Sequence, residues 1–141
     1  MVTIPNSHLD LFQAPVHGVL TTVMPDGALQ SSIIWVDSNG QYALINTTLE
    51  RQKGKNMRTN PRVAILVIDP KNSSRWIEVR GRVQEITQEG AEDHADNLTQ
   101  RYCSNKQHFY GDIYPVGQKQ KETRVLVKIQ PLKVSLDAIF K

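Results

Sequence analysis

Cysteine is almost absent from this chain: Cys103 stands alone among 141 residues. It has no partner for an internal disulfide, and no CxxC or other metal-ligand spacing surrounds it. Aromatic residues make up 6% of the chain, too few for an evident base-stacking platform. No apolar run approaches the roughly 20 residues that span a bilayer, so a membrane protein is not expected. The opening Met1-Val2-Thr3-Ile4-Pro5-Asn6 lacks the charged and apolar regions of a signal peptide, and the expectation is a cytoplasmic protein. Repeats, low-complexity tracts and linker-like stretches are missing too, so residues 1–141 read as one domain with a core of its own. The four histidines, His8, His17, His94 and His108, have no partner at a telling spacing. They read as surface or turn residues, and neither a metal site nor a catalytic triad is expected.

Charge is present but mostly scattered. The net charge is +3 and the isoelectric point near 9.1, and most cations sit near an acid. The exception is residues 51–62, which hold Arg51, Lys53, Lys55, Arg58 and Arg62 and no acid. That concentration suits one or two phosphates better than a duplex backbone, so nucleic acid is not an expected partner.

The residue pattern is that of short strands. Residues 6–13 predict a short helix capped by Asn6 or Ser7 and ended by Pro15, with Leu9 and Phe12 inward. Residues 16–23, 29–36 and 41–46 read as strands. Pro25-Asp26-Gly27 and Asp37-Ser38-Asn39-Gly40 supply turns between them, so the three form an antiparallel meander. Thr47 and Glu50 are spaced as a capping box for a helix that ends before Pro61. Residues 62–68 are a strand apolar on both faces. The clearest alternation covers 76–86, with Ile77, Val79, Gly81 and Val83 on one face, and Gly81 predicts a bulge or bend. Ala91, Ala95, Leu98 and Tyr102 form the inner stripe of a helix over 88–102. Residues 103–122 show no period and read as a long polar, functional or mobile loop. Strands follow at 123–129 and 133–138, separated by Pro131. The sum is a mainly β fold: a six- to seven-stranded antiparallel barrel with two or three peripheral helices.

The chemistry concentrates at the helix after residue 47. Free N–H groups and the helix dipole favour an anion at such a start. Arg51 can fork onto phosphate oxygens. Lys53 and Asn56 share a face, and Asn56 has an amide to donate. The strand segment Gln30-Ser31-Ser32-Ile33-Ile34 is read as adjacent in the meander. Its small hydroxyl residues allow a flat ring to approach the backbone. The competing readings are a solvated basic helix face and a plain edge strand.

The order of these motifs resembles the split-barrel flavin and deazaflavin oxidoreductases, the pyridoxamine-phosphate-oxidase-like superfamily. Within it, the likeness is strongest to the group that uses coenzyme F-420. It runs through Gly18-Val19-Leu20-Thr21-Thr22-Val23, Asp26-Gly27, Ser32-Ile33-Ile34-Trp35, Arg51-x-Lys53-x-x-Asn56-Met57 and Asn60-Pro61-Arg62-Val63-Ala64. It continues through Arg75-Trp76-Ile77-Glu78-Val79-Arg80-Gly81-Arg82-Val83 and Arg124-Val125-Leu126-Val127-Lys128-Ile129. The resemblance implies a Greek-key split barrel and a homodimer with the cofactor in a groove between subunits. It implies phosphate contacts from Arg51, Lys53 and Asn56 and a ring bordered by Gln30, Ser31, Ser32, Ile33 and Ile34, with Trp76 also counted as cofactor-binding. Many relatives have Pro where Ile33 stands, and the 105–121 loop matches less well.

FMN-using relatives place Arg directly before the helix Lys. Here Gln52 holds that place and Arg51 lies one residue earlier, which favours F-420 over FMN. Lys55, Arg58, Arg75, Arg80 and Arg82 are candidates for the longer anionic tail of F-420. The implied activity is hydride transfer between cofactor and a small conjugated organic substrate. Tyr110 and Tyr114 are the candidate proton donors. The alternatives are an FMN-binding relative of pyridoxamine-phosphate oxidase and a flavin or F-420 carrier or sensor without turnover.

Overall fold

The computed structural model describes residues 1–137. Seven strands form one antiparallel sheet: β1 (His17–Val23), β2 (Leu29–Trp35), β3 (Asp37–Ser38), β4 (Ala43–Thr48), β5 (Arg62–Ile68), β6 (Trp76–Thr87) and β7 (Arg124–Leu136). Three helices accompany them: α1 (Asp10–Gln13), α2 (Gln52–Thr59) and α3 (Ala91–Tyr102). The sheet curls into the half-open barrel expected of a mainly β split-barrel chain. None of the described helices is long and apolar enough to cross a membrane.

The alternating strands fold as their periods demand. In β6, Ile77 and Val79 are fully buried and Gly81 is buried beside them, while Arg80 and Arg82 face out. The β6–β7 register shifts between Arg80 and Gly81. A Cβ at Gly81 would lie 2.7 Å from the Gln130 carbonyl oxygen, so the bulge admits only a residue without one. Phe12, Leu20, Ile45, Ile65, Val67, Val127 and Ile129 fill the barrel from five elements.

Strand order departs from the meander. The sequence of neighbours is β2-β1-β5-β6-β7-β4-β3. β3 does turn back onto β4, but β4 then pairs with β7, leaving β2 at the opposite edge. The chain leaves the β2 line at Val36, which is fully buried. Asp37, held by Arg101 and His94 of α3, anchors the departure. A short connection therefore links β2 to β4 without making them neighbours.

Other expectations shift for identifiable reasons. Thr47 and Thr48 stay in β4, so the capping box does not form. The first-turn N-cap is Arg51, Thr48 Oγ1 accepts its N–H at 3.3 Å, and Glu50 accepts the Thr123 N–H at 2.6 Å. α1 is only the last turn of the expected helix, capped by Leu9 without a side-chain bond, because the Ser7 hydroxyl meets His8. Pro131 does not divide two strands. It pairs with Gly81 at the bulge, where a missing N–H is tolerated, and β7 runs through it. The expected end of that strand at Ala138 lies outside the described residues.

The 103–122 segment is built rather than loose. Asp96 accepts the Phe109 N–H at 2.8 Å, and Asp112 accepts those of Gln107 and His108. A tight turn at Phe109–Ile113 and a 3₁₀ segment at Val116–Lys121 follow. Two histidines also differ from expectation. His8 is buried against Asp137, and His94 is nearly buried between Asp37 and Asn46.

Candidate functional site

Helix α2 reaches the sheet because Gly54 has no side chain: a Cβ there would run into the Thr48 carbonyl. This contact sets Arg51 and Lys53 beside β2 at the mouth of a cavity of about 320 Å³. Ile33, Ile34 and Trp35 of β2 form one wall, and Ala95 and Leu98 of α3 with Phe109, Ile113 and Tyr114 form another. Asn46, Thr47 and Arg124 contribute polar atoms, and His17 also lines the space. No carboxylate is among the lining residues. The volume is at the low end of the ~300–1,000 Å³ usual for small-molecule pockets.

The two cations at the mouth are held by neutral oxygens. Lys53 Nζ donates to Ser32 Oγ at 3.0 Å, and Arg51 Nη2 donates to Tyr114 OH at 2.8 Å. Neither is paired with a carboxylate among the described residues. Desolvation, and then the nearby Arg51 charge, lower the Lys53 pKa from its ordinary 10.5. An anion placed here would relieve both penalties.

Arg124 is arranged differently. It is 8% exposed. It donates to Glu122 at 2.8 Å, to Asn46 Oδ1 at 3.0 Å and to Tyr110 OH at 3.1 Å, and its guanidinium lies 4.2 Å from the Phe109 ring centroid. Burial alone would raise the Glu122 pKa, but bonds from Tyr110, Gln118 and Arg124 outweigh it and hold the carboxyl low. Tyr110 is pushed up by burial and by donating to Glu122. Trp35 stacks on Tyr102 with ring centroids 5.1 Å apart and meets Phe109 edge-on, which stiffens the apolar wall.

Of the residues expected to bind a cofactor, Ile33, Ile34, Arg51 and Lys53 line the cavity, and Ser32 joins it through Lys53. Gln30, Ser31, Asn56 and Trp76 are placed elsewhere. The Ser31 hydroxyl pairs with Thr21. Asn56 is 1% exposed: its Nδ2 donates to Thr22 Oγ1 at 3.0 Å, and its Oδ1 accepts from Gln52. Buried Thr22 sits beneath α2 and needs a partner there, so this amide is used internally. Gln30 lies against the same amide at 3.5 Å. Trp76 pairs with Ile68 at the end of the β5–β6 ladder. Lys55, Arg58, Arg75, Arg80 and Arg82 are not lining residues; Arg75 is engaged by Asp10 and Asp69.

Several lining residues carried no such reading in the sequence. Thr47 is the most informative. It is 3% exposed, and its Oγ1 is, among the described residues, the buried side-chain polar atom without a hydrogen-bond partner. Such an atom is costly unless something arrives to bond it. Trp35 and Arg124 lay within recognised motifs without a role, and Asn46 and Phe109 gave no signal. Of the two tyrosines, Tyr114 reaches the cavity, while Tyr110 turns to Glu122.

The chain is similar to proteins of known family and structure. The profile described as pyridoxamine 5'-phosphate oxidase matches residues 4–136. A solved F420 reductase is 32% identical, with a TM-score of 0.79 over 94% of this chain and 98% of its own. A conserved hypothetical protein from Mycobacterium tuberculosis is 21% identical, with a TM-score of 0.69 over 95% of this chain and 84% of its own. A putative pyridoxamine 5'-phosphate oxidase from Listeria innocua is 22% identical, with a TM-score of 0.62 over 89% of this chain and 90% of its own. The last two likenesses are of fold alone. No curated protein matches the chain.

Proposed function

Because the chain belongs to the pyridoxamine 5'-phosphate oxidase family, we propose that its cavity seats a phosphorylated flavin or deazaflavin and that the protein is an oxidoreductase. Coenzyme F-420 is the favoured cofactor and FMN the alternative, with a small conjugated organic molecule as substrate. The observation that carries this reading is the mouth of the cavity: two cations without carboxylate partners above an apolar, aromatic wall. The unbonded Thr47 hydroxyl supports it, since a ring with polar edges would supply the missing partner.

In this reading Arg51 and Lys53 hold the anionic tail through charge-assisted bonds. Ile33, Trp35 and Phe109 cover the ring and exclude water. When bound, the cofactor supplies hydride chemistry that no side chain of this protein can. Tyr114 places a hydroxyl at the cavity, and because Arg51 donates to its oxygen, the hydroxyl hydrogen is left to donate elsewhere. A second copy of the chain completes the site. The edge position of β2 and the exposure of Leu29 (72%) and Ile33 (71%) on it support that arrangement, as does a cavity small for a whole cofactor.

The test is a titration of the purified protein with FMN and with F-420, followed by absorbance, and then turnover of the reduced complex with quinone and enone acceptors. Binding with turnover is the expected result. Binding without turnover on any acceptor would make the protein a carrier or sensor, and binding of neither cofactor would remove the proposal.

A further inference from the structure

Behind the cavity wall, a hydrogen-bonded chain leads from the lining to a nearly buried imidazole. Asp37 Oδ2 lies 3.0 Å from His94 Nε2, and its Oδ1 accepts from Arg101 at 3.0 Å. Burial raises the Asp37 pKa, but bonds from His94, Arg101 and the Ser38 N–H outweigh it, so the carboxylate is ionised. An ionised carboxylate accepts only, and His94 must therefore carry its proton on Nε2. On the other side of the ring, Asn46 Nδ2 lies 3.1 Å from His94 Nδ1.

The orientation of Asn46 is determined by two further bonds. Its Nδ2 donates to the Ala91 carbonyl at 2.8 Å, and its Oδ1 accepts from Arg124 at 3.0 Å. Both amide hydrogens are thus used, one on Ala91 and one on His94. The His94 Nδ1 must accept, which requires neutral imidazole. A proton added at Nδ1 would face an N–H donor at 3.1 Å. Turning the amide would not help, because it would present Nδ2 to the Arg124 guanidinium and forfeit the Ala91 bond.

We infer that His94 is a positioning residue for the cavity: its neutral form locks Asn46, which lines the cavity and takes one hydrogen bond of Arg124, and its protonation releases that amide. This deepens the cofactor reading above and rests on it for the ligand. The charged groups around His94 are Asp37 on β3 and Arg101 on its own helix, then Arg124 and Glu122 beyond Asn46. His17 also lines the cavity, but its protonation would add positive charge and strengthen the hold on an anion. The two histidines act with opposite sign, so the direction of the pH effect tells them apart.

The experiment has two arms. In the first, nitrogen-edited NMR of the ligand-free protein follows the His94 ring and the Asn46 side-chain amide as pH falls from about 8 to about 5.5, across the range where histidine titrates. The expected result is an Nε2–H tautomer at the alkaline end, with the Asn46 amide signals shifting along the His94 titration. An Nδ1–H tautomer, or Asn46 signals indifferent to that titration, would overturn the inference. In the second, FMN and F-420 affinities are measured over the same range. They should fall on the order of tenfold in the native chain as the imidazole gains its second proton. His94→Gln should flatten that His94-dependent fall, and an unchanged slope in a folded variant would also overturn the inference. If neither cofactor binds at the alkaline end, the cofactor reading fails by itself, and the NMR arm alone decides the role of His94.

Discussion

Arg51 and Arg124 border the same cavity in opposite surroundings. Arg51 caps a helix at the mouth and leans on a neutral phenol. Arg124 is enclosed in the wall, with a carboxylate, an amide, a phenol and an aromatic face around it. A cation whose partners are neutral retains its field for an incoming anion. A cation neutralised by a buried carboxylate has given that field to the fold. Local spacing does not separate them: Glu50 directly precedes Arg51 but accepts the Thr123 N–H, whereas Glu122, two residues before Arg124, turns to that guanidinium.

The sharpest way to break this contrast is to remove the mouth. Arg51→Ala with Lys53→Ala should weaken FMN or F-420 binding by about 3–6 kcal/mol, taking about 1.5–3 for each charge-assisted bond. The melting temperature should change little, and calorimetric titration beside thermal unfolding checks both. Arg124→Ala should fall chiefly on the fold, with a smaller loss of cofactor affinity. It leaves Glu122 buried without its cation and should cost about 3–5 kcal/mol of folding stability in urea unfolding.

A milder perturbation uses pH. Lys53 titrates below its ordinary 10.5, because burial and Arg51 disfavour its charge. Its cationic form is needed for the anion, so cofactor affinity should drop as pH rises through that lowered value, by about 1.5–3 kcal/mol for the lost charged bond. Lys53→Arg should retain binding at alkaline pH. The smallest effect is expected from Thr47→Val, which removes the unpartnered hydroxyl while keeping the side chain's shape. Stability should hold or rise, whereas cofactor affinity should fall by about 0.5–1.5 kcal/mol. Equal losses in stability and affinity would mean that Thr47 serves the fold and not the ligand.

Much of the frame was legible in advance because strand periodicity and turn residues are local signals. The alternation through 76–86, the Gly81 bulge, the hairpin at Pro25-Asp26-Gly27 and the inner stripe of α3 all appear as the residues imply. The Arg51–Lys53 pair was visible for the same reason, as cations two positions apart in the chain. The bond of Asn56 to Thr22 was not legible, because an amide on a helix face is as apt to satisfy a buried neighbour as a ligand, and Thr22 is remote in sequence. Thr47 misled because Thr-x-x-Glu marks a helix start only if the strand before it ends in time. Here pairing with β7 extends that strand through Thr48.

By themselves, the residues determined where strands and turns lie, which faces go inward and where positive charge gathers, since each depends on neighbours within a few positions. Only the tertiary structure decided that β2 is an edge, that Arg124 is neutralised, and that Asp37, His94 and Asn46 form one chain behind the cavity. Those outcomes depend on which distant strands pair and on which buried polar atoms must then find partners, and neither is written in local spacing.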